Sequence, residues 1–217
     1  MTQDHLGINR RDPERVRADI LRAATMAFVD HGFAGARIDE IARQTQTTKR
    51  MIYYYFESKD ALFRAVINAT FEQFWHEEQQ LQVPVDDPIG ALRIWSEYRF
   101  THYAQHGDLL RLCATEDSRV ADYICPSVTA FEAVSPRNDL LSQILQRGVV
   151  AGVFRSDMDA LEVGILSASY AAFHSVFRGT VLTLYSRDML DSERVDHARR
   201  IAGDMMVATL TAMPDHP

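Results

Sequence analysis

Between Arg15 and His31 apolar side chains recur at Val16, Ile20, Ala23, Ala24, Ala27 and Phe28, the three-and-four spacing that lines one face of a helix, and Gly32 follows as a stop. Pro13 stands just ahead, where its missing amide hydrogen is not needed. Ile38, Ile41 and Ala42 predict a short second helix ending near Thr45. The polar run Thr45, Gln46, Thr47 leads from it to a third helix over about 49–56, with Thr48 as its N-cap. That third helix offers Met51, Ile52 and Tyr55 for packing and leaves Lys49, Arg50, Tyr53 and Tyr54 partly free. Ser58 then caps a long fourth helix whose apolar positions Leu62, Phe63, Val66, Ile67, Phe71, Phe74 and Trp75 continue to about Leu81. A helix of that length can join two bodies mechanically.

Pro84 and Pro88, with Asp86 and Asp87 between them, mark a turn and a new start, and a helical pattern runs from Ile89 to about His106. Gly107 and Asp108 interrupt it. Further helical stretches are predicted over Leu109 to Thr115, around Val120 to Val134, from Ser135 and Pro136 to about Ala151, from Asp157 to Leu184, and from Ser192 to Met213. Gly152 closes the third of these, and Asp157 and Asp159 favour the first turn of the fourth. No alternating strand pattern and no internal repeat is visible, so the fold is expected to be all-α. The expected division is an N-terminal three-helix module over 1–57 and a larger helical domain over 58–217.

Composition adds limits. The 217 residues are 47% hydrophobic and 24% charged, the balance of a water-soluble folded chain. Cys113 and Cys125 are the two cysteines, without CxxC or neighbouring Cys/His spacing, so neither a disulfide framework nor a zinc site is expected. The charged first thirty residues lack the apolar core of a signal peptide, and Val163 to Val176 is too short and too interrupted to span a bilayer. A cytoplasmic location is expected. The net charge of −7 is uneven: residues 1–64 hold 11 Lys+Arg against 9 Asp+Glu, and the remainder 12 against 21. Both lysines, Lys49 and Lys59, lie in the N-terminal part, the asymmetry expected if that module alone meets phosphate.

Helix-turn-helix recognition needs a second helix whose N-terminal residues carry short hydroxyls and cations while its other side grips the preceding helices. Residues 37–56 are divided in that way. Thr47, Thr48, Arg50 and Met51 are expected nearer the bases, whereas Arg37, Lys49, Tyr53, Tyr54 and Lys59 are expected to fix position on phosphates. The run Tyr53 to Phe56 cannot share one helical face, so Tyr55 and Phe56 are expected to pack and the other two to face outward.

Over roughly residues 15–65 the chain resembles the TetR family of regulators. The resemblance is carried by Phe28, Gly32, Phe33, Ile38, Ile41, Ala42, Thr48, Lys49, Ile52, Tyr53, Tyr54, Tyr55, Phe56, Ser58, Lys59 and Leu62 in order and spacing. It implies a homodimer formed through the last two helices, an effector cavity in the C-terminal domain, and repression of a DNA operator relieved by a small molecule. Two positions depart from the pattern. Gln46 stands where the inter-helix turn commonly has Gly, and a non-glycine in a left-handed conformation costs about 1 kcal/mol or more; either the turn differs or the fold tolerates the strain. Arg37 replaces the usual Ser or Thr cap of the second helix and offers a phosphate contact instead.

In the C-terminal part, Trp75, Tyr98, His102, Tyr103, Tyr170, His174 and Phe177 together have the make-up of an apolar small-molecule site with a few polar handles, although such stripes also serve as plain core. His102 and His106 place two imidazoles on one helix face, but two ligands are too few for a metal and no third is identifiable, so neither metal nor cofactor is expected. Gly164, Ser167, Ala168, Ala171, Ala172 and Ser175 allow close helix approach and suit a four-helix dimer interface built from 157–184 and 192–213. No GxSxG, GxGxxG or GxxxxGK occurs, and no Asp or Glu stands three residues before any His, so catalysis is not expected. The reading is a ligand-responsive regulator that represses from a near-palindromic operator. Alternatives are an activator, an architectural DNA binder without ligand, or a helical small-molecule-binding protein with no DNA role.

Overall fold

The computed structural model describes residues 12–124 and 140–211, and among these it contains eleven α-helices and no strand. They fall into two compact units that divide between Ala69 and Thr70. In the first unit, α1 (Pro13–Gly35) opens as the sequence demands: Pro13 occupies the first turn and the Asp12 carboxylate accepts the Glu14 N–H at 3.1 Å. Gly32 breaks it with φ 66° and ψ 177°, a backbone that side chains with a Cβ avoid, and a final turn continues to Gly35. The long helix thus stops at Gly32, as expected, and the turn to Gly35 is a separate piece beyond the break.

Two short helices follow, α2 (Ile38–Gln44) and α3 (Lys49–Phe56), and then α4 (Lys59–Gln79), whose first half belongs to the first unit. Ile38, Ile41 and Ala42 of α2, Ile52 and Phe56 of α3, and Leu62, Phe63, Val66 and Ile67 of α4 are all buried with Ile20, Ala24, Ala27 and Phe28 of α1. Rings bind the far side of this core: Phe63 meets Phe28 edge-on at 4.9 Å and Phe33 at 5.3 Å between centroids. Met51 and Tyr55, expected to pack, are half-buried, because the short helix turns only its Ile52 and Phe56 edge fully inward.

The second unit is organised around α5 (Pro88–Gln105), which carries Ala91, Leu92, Trp95, Ser96 and Phe100 into the interior. Against it lie α6 (Gly107–Thr115), α8 (Leu140–Val150), α9 (Ala160–Val176) and α11 (Ser192–Thr211); α7 (Asp117–Ile124) follows α6. One core joins Leu92 and Trp95 to Ile144, Phe154, Val163 and Met206, and a second joins Phe100 to Ala171, Ala198 and Ala202. Asp159 and Glu162 form a reciprocal capping box at the start of α9, each side chain accepting from the other residue's backbone N–H. The helix expected at Val120 to Val134 is seen only as α7. Its remainder, the start expected at Ser135 and Pro136, Cys125 and Met213 lie outside the described residues.

The single helix expected from Asp157 to Leu184 is a correction: it is two, α9 and α10 (Arg178–Tyr185), bent by 61° at Phe177. Phe177 has φ −96° and ψ 10°, and Gly179 follows it at the start of the new helix. Apolar periodicity runs unbroken across the bend, which is why the pattern alone did not signal it. No single helix among the described residues is long and apolar enough to cross a membrane.

Two positions test these packing arguments. A Cβ at Gly148 of α8 would fall 1.8 Å from Cδ2 of the buried Phe154, so Gly148→Ala should displace that ring and lower unfolding free energy by about 2–3 kcal/mol in urea titrations. Glu57 sits between α3 and α4 at φ 63° and ψ −49°, with Ser58 N–H bonded to Phe56 O at 2.6 Å, the tight three-residue turn of the strained kind. Glu57→Gly removes the clash at the expense of unfolded-chain entropy and should raise stability by about 1 kcal/mol on the same assay.

Candidate nucleic-acid interface and ligand-binding region

The turn between α2 and α3 adopts the left-handed conformation despite lacking glycine: Gln46 has φ 51°. The fold tolerates the strain because the turn is held on both sides, by Thr47 N–H donating to Ala42 O at 3.0 Å and by the Thr45 hydroxyl donating to Ile41 O at 2.8 Å. Thr48 caps α3 as expected, its hydroxyl accepting the Met51 N–H at 3.2 Å. The departure at Gln46 therefore leaves the turn intact.

Burial of Ile52 and Phe56 turns the opposite side of α3 outward. Tyr54 is 76% exposed and Tyr53 38%, and Thr48, Lys49 and Arg50 are exposed at the helix start. Lys49 pairs across the turn with Asp39 at 3.2 Å, both side chains largely in water. Arg37 and Arg50 have no ion-pair partner among the described residues. Arg37 also makes no side-chain cap bond to α2, so its guanidinium is unengaged there. Lys59 differs: its ammonium donates to Ala34 O at 3.3 Å and lies 4.9 Å over the Phe33 ring, tying α4 to the end of α1. Arg17, not singled out in the sequence, lies 5.0 Å over the Phe56 ring and ties α1 to α3.

In the second unit the seven expected ligand-site residues separate into groups. Around the end of α4, Glu78 is buried; the Trp95 indole donates to its carboxylate at 2.6 Å and Arg99 lies 3.7 Å away. The Arg99 guanidinium is enclosed by the rings of Phe74, Trp95 and Tyr103 at 4.9–5.7 Å. Beside this pair stand Tyr98, His102 and His106, with His102 Nδ1 3.5 Å from Glu77 and the two imidazole centroids 4.4 Å apart. Burial, with the charges of Glu77 and Glu78 nearby, pushes the Tyr98 hydroxyl up to about 12. Burial, aided by His106, pulls His102 down to about 4 against the opposing pull of Glu77, so at neutral pH their contact is not an ion pair. Among the described residues no group of three His, Cys, Asp or Glu is gathered as for a metal. Trp75 lies near Phe71, at 5.8 Å between centroids.

Tyr170 and His174 belong elsewhere. Both lie on the wall of an open cavity of about 600 Å³ formed by α9, α10, the loop after it and α11. Phe177 instead stacks on Phe173 at 5.0 Å and both are about half exposed. Val181, Tyr185, Arg187, Met189, Arg194, His197, Ala198 and Ile201 complete the cavity; none was anticipated, since the 61° bend that brings α10 and its loop to α11 has no signature in the apolar pattern. Next in sequence to Arg187, Asp188 forms a two-bonded pair with Arg178 at 2.8 and 2.6 Å, which holds the Asp188 carboxyl down at about 2.

Comparison with known proteins gives consistent matches. The family model described as bacterial regulatory proteins, tetR family, matches residues 20–66, and that described as tetracyclin repressor-like, C-terminal domain, matches residues 88–206. The HTH-type transcriptional repressor NicS of Pseudomonas putida is 29% identical over 187 residues, covering 86% of this chain and 88% of that protein. The HTH-type transcriptional activator FasR of Mycolicibacterium smegmatis is 39% identical over 165 residues, 76% of this chain and 74% of that protein. A crystal structure of the transcriptional regulator SCO4942 from Streptomyces coelicolor superposes with a TM-score of 0.62 at 25% identity, covering 92% of this chain and 99% of that one.

Since folding lowers the proton affinity of His102, the unfolded chain binds the extra proton first. Its stabilising contribution is complete above about pH 6.5 and is lost as pH falls from there toward about 4. The full span is on the order of 3 kcal/mol. His102→Gln, which cannot take the proton, should flatten the fall in unfolding free energy between pH 7 and pH 5; an unchanged slope would show that His102 is not the group responsible.

Proposed function

The chain belongs to the TetR family of bacterial regulatory proteins and is a helix-turn-helix transcriptional regulator, and on that premise we propose that it represses transcription from a near-palindromic operator until a small molecule releases it. The observation that carries the DNA reading is the division of α3: Ile52 and Phe56 are buried while Lys49, Arg50, Tyr53 and Tyr54 face water beside the capped helix start. On this reading Thr47, Thr48, Arg50 and Met51 meet base edges in the major groove, and Arg37, Lys49, Tyr53 and Tyr54 meet phosphates. Lys59, already engaged with Ala34 O, contributes to the phosphate field from a fixed position. The protein acts in the cytoplasm as a regulator and not as a catalyst.

A homodimer supplies two reading helices for two half-sites about 34–36 Å apart, or a multiple of that spacing. Of the small residues expected at the dimer interface, Ser167, Ala171 and Ser175 are instead buried within the protomer; Leu161, Ile165 and Phe173 of α9, Phe177, and Leu182 and Leu184 of α10 are exposed apolar residues that a second copy would cover in an interface over 157–184 and 192–213. An effector that prefers the dimer with badly spaced reading helices shifts the population away from the operator. The 39% identical activator FasR supports a second reading, with the same DNA module and the opposite sign. A reporter carrying the operator, compared with and without the intact gene, separates the two: higher expression on deletion supports repression, and lower expression supports activation.

Selection of genomic fragments by the purified protein should enrich one palindromic sequence, bound far above random DNA and more weakly as salt rises. No enriched sequence would sink the reading. On that operator Lys49→Ala, which removes one phosphate contact from each protomer of the dimer, should weaken binding and reduce the slope of log affinity against log salt by about 1.8. Its stability should change by less than about 1 kcal/mol, because the Asp39 pair it breaks is exposed.

A further inference from the structure

We propose that the cavity between α9, α10, the loop at 186–191 and α11 binds an aromatic monocarboxylate, with Arg187 holding the carboxylate and Tyr170, His174 and Tyr185 holding the ring. The proposal deepens the effector part of the reading above and rests on it for its consequence at DNA. The cavity's volume, about 600 Å³, is that of a small-molecule site.

Its charge selects the ligand. The two carboxylates nearest Arg187 in sequence are already committed: Asp188 to Arg178 through two bonds, and Asp191 to the Arg194 side chain at 2.8 Å and to its backbone N–H at 2.8 Å. Arg187 itself is exposed on the cavity wall and has no hydrogen bond or ion pair among the described residues. A free guanidinium presents a planar fork of donors that matches a carboxylate. One such group, on a wall that also carries apolar Val181, Met189 and Ile201 and an Arg194 already paired with Asp191, suits a single negative charge on an apolar body better than a phosphate or a dianion.

The walls select the body. Tyr170 and His174 stand with centroids 4.6 Å apart, and His174 is held from behind by the Phe100 ring, edge-on at 5.3 Å. His174 Nδ1 is 2.9 Å from Tyr170 O, and since a carbonyl only accepts, Nδ1 carries the hydrogen, which fixes the orientation of the ring. A planar ring can thus stack on fixed rings. The cavity shares its helices with the proposed dimer interface, but none of the exposed apolar residues Leu161, Ile165, Phe173, Phe177, Leu182 and Leu184 lines it.

Titration calorimetry of the full-length protein without DNA tests the site with 1-naphthoate and its uncharged counterpart 1-naphthamide as probes. Naphthoate should bind saturably, one per chain, with naphthamide at least tenfold weaker. Arg187→Gln, an exposed and therefore structurally mild change, should lower naphthoate affinity at least tenfold and leave naphthamide unchanged, while Trp75→Phe in the separate α4 cluster should alter neither. Equal naphthoate affinity in wild type and Arg187→Gln, or no saturable binding at all, overturns the proposal. Because DNA is absent from the titration, its failure leaves operator binding untouched, and failure to select an operator leaves the titration as it stands.

Discussion

A buried carboxylate governs the arrangement of the C-terminal unit. Glu78 near the end of α4 lies in the interior, where an ionised group is tolerated only when paired and hydrogen-bonded. Trp95 and Arg99 of α5 satisfy that demand from one helix, one turn apart, and so set where α4 lies on α5. The same guanidinium then needs its own enclosure. Phe74, Trp95 and Tyr103 surround it, and Tyr103 also accepts from it at 3.3 Å. Phe74, Trp95 and Tyr103 are therefore accounted for by a charge that must be neutralised, which makes this cluster a structural brace beside the uncharged His102.

From that brace the packing of the rest follows. The N-terminal turns of α5 feed one core through Leu92 and Trp95 and its C-terminal turns another through Phe100, and α11 is held to α5 by the Arg93–Asp204 and Arg199–Glu97 pairs as well as by Ala198, Ala202 and Met206. Ser175 of α9 donates to Tyr103 O at 2.9 Å, fixing α9 at the end of α5 just before the chain bends at Phe177. The bend converts a continuing apolar helix into two, and the second reaches the loop that carries Arg187. A cavity with a free cation thus arises from where one helix stops.

In the first unit, strain and function sit side by side. The backbone takes positive φ at Gln46 before α3 and at Glu57 after it, both without glycine. Such positions persist only where the surroundings over-determine them. Here the surroundings are the small core of Ile38, Ile41, Ile52 and Phe56, the Phe28, Phe33 and Phe63 rings, and the Arg17 and Lys59 contacts on ring faces. A recognition helix of eight residues has little cooperative stability of its own. Turning the chain sharply at both of its ends lets the core hold it, with Lys49, Arg50, Tyr53 and Tyr54 on its exposed side.

Much of this was legible in one dimension. Most helix positions, the start of α1 at Pro13, the caps at Thr48 and Ser58, the all-α class and the inward and outward edges of α3 follow from periodicity and cap chemistry, which act over three or four residues and so are written locally. The left-handed turn was flagged at Gln46, but whether the chain would adopt it depended on hydrogen bonds to α2 that only the folded turn supplies. The bend at Phe177, the engagement of Lys59 by Ala34 O, the burial of Glu78 and the gathering of Arg187 with Tyr170 and His174 were decided by tertiary structure. Each joins residues distant in sequence or depends on how helices stop, and a short-range pattern of apolar and polar positions carries no record of which charges meet across the core.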